Sequence, residues 1–124
     1  DNPHKGNTGI TRAIHAAKNS WSGLTFALRE ESAFRQEIFL VIISLSIILV
    51  SEVSTIEILL MIFTTSLVLI IELLNSSVEA AIDRISFDYH GLSKRAKDYG
   101  SAAVMLTLIL WVLIHGLILF NDVH

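Results

Sequence analysis

The chain has 124 residues, of which 52% are hydrophobic and 17% charged, with a mean hydropathy of +0.62. A soluble domain carries closer to about 25% charged residues, and a disordered chain is polar and charge-rich, so neither class fits. Nine Lys and Arg against twelve Asp and Glu give a net charge of −3, which argues against a nucleic-acid partner. The absence of cysteine removes disulfides, thiolate nucleophiles and Cys-based metal sites. A single all-α membrane domain over residues 1–124 is the class that remains.

In chain order, residues 1–6 are left out of the fold reasoning. No short apolar run with a cleavage site follows them, so no signal peptide is expected. Ile10, Ile14, Ala17, Trp21, Leu24 and Leu28 then recur at spacings of 4, 3, 4, 3 and 4, which is one face of an α-helix. Arg12, His15, Lys18, Asn19, Ser22 and Arg29 fall off that stripe. A basic amphipathic helix over about 8–30, capped by Thr8 or Thr11, reads as lying in the membrane interface. The alternative is an ordinary core-facing helix.

Three apolar stretches follow. Ile38 to Ser51 is fourteen residues without a charge, Ile58 to Ile71 is also fourteen, and Tyr99 to Asn121 is twenty-three. A spanning helix needs about twenty residues, so the first must reach Glu52 and the second must run on through Glu72. Three such runs in so short a chain leave too little polar sequence to cover them. Spans are expected over about 34–54, about 56–85 with a polar extension, and about 92–121, with a turn at Phe87–Gly91.

All nine Lys and Arg precede the first apolar stretch or lie between the second and third. The positive-inside rule then predicts a cytoplasmic N-terminus and a periplasmic C-terminus. Small residues at Ser76, Ser77, Ala80 and Ala81, and at Gly100, Ser101, Ala102 and Ala103, let the second and third spans approach closely. Trp21 suits an interfacial anchor. Trp111 and His115 read as packing or lipid contacts of the third span.

The second span ends in a polar stripe. Glu72, Asn75, Glu79 and Asp83 fall at i, i+3, i+7 and i+11, one helix face. Ionisable groups at membrane depth usually face a protein interior, an ion or a substrate, although Glu72 and Asn75 could also serve as interhelical glue. Glu30, Glu31, Glu37, Asp88 and Asp98 gather on the same side. Carboxylates without His or Cys partners suit a hard cation such as Mg²⁺. Lys94, Arg95 and Lys97 could hold phosphates or simply set topology. Acidic ligands beside basic groups fit phosphoryl transfer, yet no P-loop, dinucleotide or protein-kinase motif occurs. An oligomeric ion-coupled transporter using Glu72 fits the same residues. Three helices enclose little interior, so a polar stripe among them argues for oligomerisation.

Three segments add a resemblance: Glu31-Ser-Ala-Phe-Arg-Gln-Glu37, Glu72-Leu-Leu-Asn-Ser-Ser-Val-Glu79-Ala-Ala-Ile-Asp-Arg84 and Arg95-Ala-Lys-Asp-Tyr-Gly-Ser-Ala-Ala-Val104. Together they resemble the bacterial integral-membrane diacylglycerol kinase family, over about Gly9 to Phe120. The resemblance implies a surface helix and three spans per subunit, a homotrimer in the bacterial inner membrane, and transfer of the γ-phosphate of Mg·ATP to diacylglycerol, giving phosphatidic acid. A sister branch phosphorylates undecaprenol, and Phe34-Arg-Gln-Glu37 is more similar to the diacylglycerol branch. By matching position, the resemblance implies that Glu72 is the general base, supported by Asn75, and that Glu31 and Glu79 are metal ligands. It places Arg12, Asn19, Glu31, Glu79, Asp88, Tyr89, His90, Lys97 and Asp98 at the nucleotide. It places Arg12, Ser20, Trp21, Ala33, Phe34, Arg35, Gln36, Glu37, Glu72 and Ser101 at the lipid.

Overall fold

A computed structural model describes residues 8–85 and 91–123. They form four helices: α1 (Gly9–Glu30), α2 (Ser32–Val50), α3 (Thr55–Ile85) and α4 (Gly91–Val123). Most of the expected turn at Phe87–Gly91, including Asp88, Tyr89 and His90, lies outside the described residues. Gly91 itself opens α4.

Helix α1 starts at Gly9 with Thr8 extended in the capping position, φ −88° and ψ 172°. The expected hydroxyl cap is not made. Thr8 contributes its carbonyl instead, accepting from the Arg12 N–H at 3.0 Å, and Thr11 lies inside the helix. A single extended residue, Glu31, separates α1 from α2. Its N–H donates to Ala27 O at 2.9 Å, and its carbonyl accepts from Arg35 N at 3.1 Å. The Arg35 guanidinium donates through Nη1 to Leu28 O at 3.1 Å and Arg29 O at 2.7 Å. Cationic donors suit the unpaired carbonyls of a helix C-terminus, and this clasp defines the elbow. Ala27 and Phe34 are buried on either side of it.

The first span is α2, over Ser32–Val50 rather than the expected 34–54. Residues near Glu52 belong to a different device. Ser54 N–H donates to Glu57 Oε1 at 2.8 Å, and Glu57 N–H donates to Ser54 Oγ at 3.2 Å. This reciprocal capping box satisfies donors at the start of α3. Nearby, Glu52 N–H donates to Asp122 Oδ1 at 3.1 Å, tying the α2–α3 connection to the end of α4.

Helices α2, α3 and α4 are each long and apolar enough to cross a membrane. At 1.5 Å per residue, nineteen residues of α2 reach about 28 Å, close to the hydrocarbon thickness. The longer α3 and α4 project polar turns beyond the apolar layer at the end where they are joined. There Lys97 Nζ pairs with Asp83 Oδ1 at 2.7 Å, bracing the two projections.

Helix α3 packs against both α2 and α4, and α1 packs on α2. Ile47, Met61 and Ile118 form the buried centre, with Ile48, Val53 and Ile114 against it. Yet the apolar windows of the three spans are only 22%, 28% and 28% buried within the chain. Phe39, Ile43, Leu49, Phe63, Leu106 and Val112 are among the large side chains left facing outward. Contiguous apolar surface on this scale is incompatible with water on all sides, and lipid or other subunits must cover it.

Candidate functional site

The elbow, the end of the second apolar run and the first apolar turns of α4 enclose a cleft of about 430 Å³. Glu31, Ser32 and Ala33 enter it from the elbow, Glu72, Asn75, Ser76 and Glu79 from α3, and Ser101, Val104, Met105 and Leu108 from α4. One end is therefore carboxylates, amide and hydroxyls, and the other is apolar.

Helix periodicity presents the α3 side chains together, since residues three, four and seven apart share a face. Glu72 is 6% exposed. Ser76 Oγ donates to Glu72 Oε2 at 3.4 Å, and Asn75 Nδ2 donates to Glu79 Oε1 at 3.3 Å. Glu37 of α2 is buried against Glu72 from the other side.

Two buried polar atoms among the described residues have no hydrogen-bond partner: Asn75 Oδ1 and Glu37 Oε2. Both neighbour Glu72. Unpaired acceptors are costly in an apolar setting; both atoms are covered by protein, Asn75 Oδ1 by the Gly100 surface of α4.

The close approach of α3 and α4 depends on Gly100. A Cβ at that position would collide with Asn75 Oδ1. Within the small-residue segment of the third span, Gly100 offers a surface on which the Asn75 amide lies.

The cleft brings together Glu31, Ala33, Glu72, Asn75, Glu79 and Ser101 of the residues singled out in sequence. Phe34 is buried and Glu37 lies beside Glu72. Arg35 is turned to the α1 carbonyls, and Gln36 is exposed. Arg12, Asn19, Ser20 and Trp21 are exposed on α1 and do not line the cleft. Asp83, the last member of the polar stripe, pairs with Lys97 instead of entering the cleft. Asp98 pairs with Lys94 at 2.6 Å. Asp88, Tyr89 and His90 lie outside the described residues. Ser76 reads in the sequence only as a small packing residue, although its i+4 spacing from Glu72 signals the contact. The Glu37–Glu72 approach joins two helices and has no sequence signal.

Trp111 and His115 are helix-packing residues rather than lipid contacts, both buried and in hydrogen bonds.

Comparison with known proteins gives a consistent family. The family model for prokaryotic diacylglycerol kinase matches residues 18–119. The diacylglycerol kinase of Escherichia coli (strain K12) is 46% identical over 114 residues, covering 92% of this chain and 93% of its own. That of Haemophilus influenzae is 45% identical over 113 residues, covering 91% and 96%. That of Pseudomonas aeruginosa is 47% identical over 109 residues, covering 86% and 89%. The match takes in the elbow, the α3 carboxylates and the small-residue start of α4, so the chain belongs to the prokaryotic diacylglycerol kinase family.

Proposed function

We infer that this membrane protein phosphorylates diacylglycerol to phosphatidic acid with ATP, in the cleft between the elbow, α3 and α4. The observation that carries the reading is the cleft's division into an acidic end and an apolar end, with Glu72 buried between them. A lipid alcohol needs that arrangement. Its acyl part would lie against Val104, Met105 and Leu108, and its hydroxyl would meet the carboxylates.

In the transfer, the lipid O–H bond breaks, its oxygen bonds to the γ-phosphorus, and the bond to the ADP oxygen is released. Glu72 accepts the hydroxyl proton as general base. The Ser76 hydrogen bond orients its carboxylate. Asn75, seated on Gly100, lines the same cleft beside it.

The donor set fits Mg²⁺. Glu31 and Glu79 offer hard carboxylate oxygens on the walls of one cleft, and Mg²⁺ takes one or two carboxylates with the remainder from water and phosphate. Among the described residues no three acidic or histidine side chains are gathered to hold a metal alone, so these residues would hold it jointly with the nucleotide's phosphates. When bound, Mg²⁺ would neutralise phosphate charge during the transfer.

Three features complete the reading. The apolar stripe of α1 is largely exposed, with Ile10 79% and Trp21 69% accessible, which suits a helix lying in the interface. The uncovered faces of the spans suit a homotrimer in the bilayer. The distribution of Lys and Arg suits an inner-membrane protein with a cytoplasmic N-terminus and a periplasmic C-terminus.

The test is Mg·ATP turnover on diacylglycerol and on undecaprenol in parallel micelles, with ion flux measured in vesicles. Turnover on diacylglycerol is expected. Preference for undecaprenol would move the chain to the sister activity, and ion flux without turnover would make it a carrier.

A further inference from the structure

The spans hold a second polar cluster that the kinase chemistry does not use. Ser44 of α2, Thr65 of α3, and Trp111 and His115 of α4 are all buried, His115 to 2%. Trp111 Nε1–H donates to Thr65 Oγ1 at 2.8 Å. The Thr65 and Ser44 hydroxyls are 3.0 Å apart, Ser44 Oγ is 2.6 Å from His115 Nε2, and His115 Nδ1 is 2.8 Å from the Trp111 carbonyl. The indole and imidazole stack with centroids 3.8 Å apart.

Donor and acceptor roles follow from chemistry. A carbonyl only accepts, so His115 Nδ1 carries the ring hydrogen. In the neutral imidazole Nε2 then accepts from Ser44 Oγ–H. Ser44 in turn accepts from Thr65, and Thr65 from Trp111. The donors run in one direction around a closed loop through three helices, and each finds an acceptor.

The cluster is in step with the cleft. Ser44 is seven residues from Glu37, Thr65 seven from Glu72, Trp111 seven from Val104 and His115 seven from Leu108. Seven residues are two turns, about 10.5 Å, and return to the same helix face. In every helix the displacement is toward the same end of the bundle. The two layers are thus rigidly linked through three helices. Between them, buried Val68 packs without directional preference. Apolar surfaces can slide by a turn, whereas a hydrogen-bonded polar group at one level selects a single register.

We propose that Ser44, Thr65, Trp111 and His115 are positioning residues for phosphoryl transfer, a membrane-buried clamp that sets the axial register of the three spans and with it the alignment of Glu72 against Glu31 of the elbow and Ser101 of α4. The proposal rests on the cleft being the catalytic site. A one-turn slip of α3 would carry Glu72 about 5.4 Å along the axis, far beyond what in-line attack tolerates.

The test uses the purified full chain in micelles. Ser44→Ala and His115→Leu are expected to lower kcat on the order of 10- to 100-fold, with both KM values within about twofold, because misplacement by about 1 Å has effects of that size. Ser44→Thr keeps the hydroxyl, and a groove of about 160 Å³ between α2 and α3 borders the position and accommodates the added methyl. It should restore kcat to within about twofold of the parent. Unchanged kcat in both disrupted variants, even with a lower Tm, would overturn the proposal, as would a Ser44→Thr enzyme as slow as Ser44→Ala.

Should the single variants fail to fold, the combined Ser44→Ala, Thr65→Val, Trp111→Phe, His115→Leu chain removes every donor of the loop together. Parental kcat in that chain overturns the proposal and reduced kcat supports it. Register is read separately. The sequence has no cysteine, so thiols introduced at the packed pair Ile47 and Met61 should cross-link less readily once Ser44→Ala is added. Equal cross-linking would count against the clamp. Full activity in Glu72→Gln would remove the cleft assignment and leave the cross-linking result standing.

Discussion

Glu72 carries a carboxyl group into a position only 6% exposed, with one hydroxyl hydrogen bond from Ser76. An ionised side chain at mid-membrane costs on the order of 2.5–3.5 kcal/mol on insertion scales, and a 3.4 Å contact offsets little of that. The residue is retained where its chemistry is needed. Glu72→Gln preserves shape and hydrogen bonding but removes the basic oxygen. Its kcat should fall by at least about 10²-fold, with Mg·ATP binding and assembly intact; near-normal kcat in a folded protein would exclude the base role. Glu31→Gln and Glu79→Gln should instead raise the Mg²⁺ concentration needed for half-maximal activity, since each removes one hard ligand. Titrating Mg²⁺ at saturating ATP separates the two effects, and an unchanged Mg²⁺ requirement in both variants would remove these carboxylates from the metal site.

Between elements, the α3–α4 contact turns on Asn75 and Gly100. Gly100→Ala places a methyl where Asn75 Oδ1 lies, and overpacking of this kind costs about 1–3 kcal/mol. Both thermal stability and kcat should drop. Adding Asn75→Ala relieves the collision, so stability should recover while kcat stays low; a double-mutant cycle in Tm and kcat measures this coupling. If both quantities recover together, Asn75 is only a spacer. The Ser54–Glu57 capping box lies at the far end of α3. Ser54→Ala should lower stability by about 1 kcal/mol, read by thermal unfolding in detergent, without changing KM for either substrate.

For the whole molecule, the decisive fact is how little the chain buries by itself. Its three apolar windows are 28% buried or less, so lipid or other copies must complete the bundle. Of the described residues, Arg29, Arg35, Arg84, Lys94, Arg95 and Lys97 belong to the elbow side of the bundle, the side on which the cleft's acidic end opens. A reporter fused after His124 should therefore behave as exported. A reporter that reads as cytoplasmic would require a different number of spans. Cross-linking of the detergent-solubilised protein should yield a trimer, and a monomer that retains full turnover would separate assembly from activity.

Helix positions and the polar stripe were legible because both are local. A 3.6-residue period and the spacing of Glu72, Asn75 and Glu79 place those side chains on one face before any packing is known. The Ser54–Glu57 box was equally readable from its spacing, yet it was passed over, and it opens α3 after α2 has ended at Val50. The reach of Glu31 into the α3 stripe was implied only by resemblance, because it depends on the angle of an elbow held by Arg35. Glu37 beside Glu72, the bed that Gly100 offers Asn75, and the loop through Ser44, Thr65, Trp111 and His115 join residues distant in sequence. Period and charge determine which face a side chain occupies and which side of the membrane it approaches. Only the packing of one helix on another decides which faces meet, and at what register.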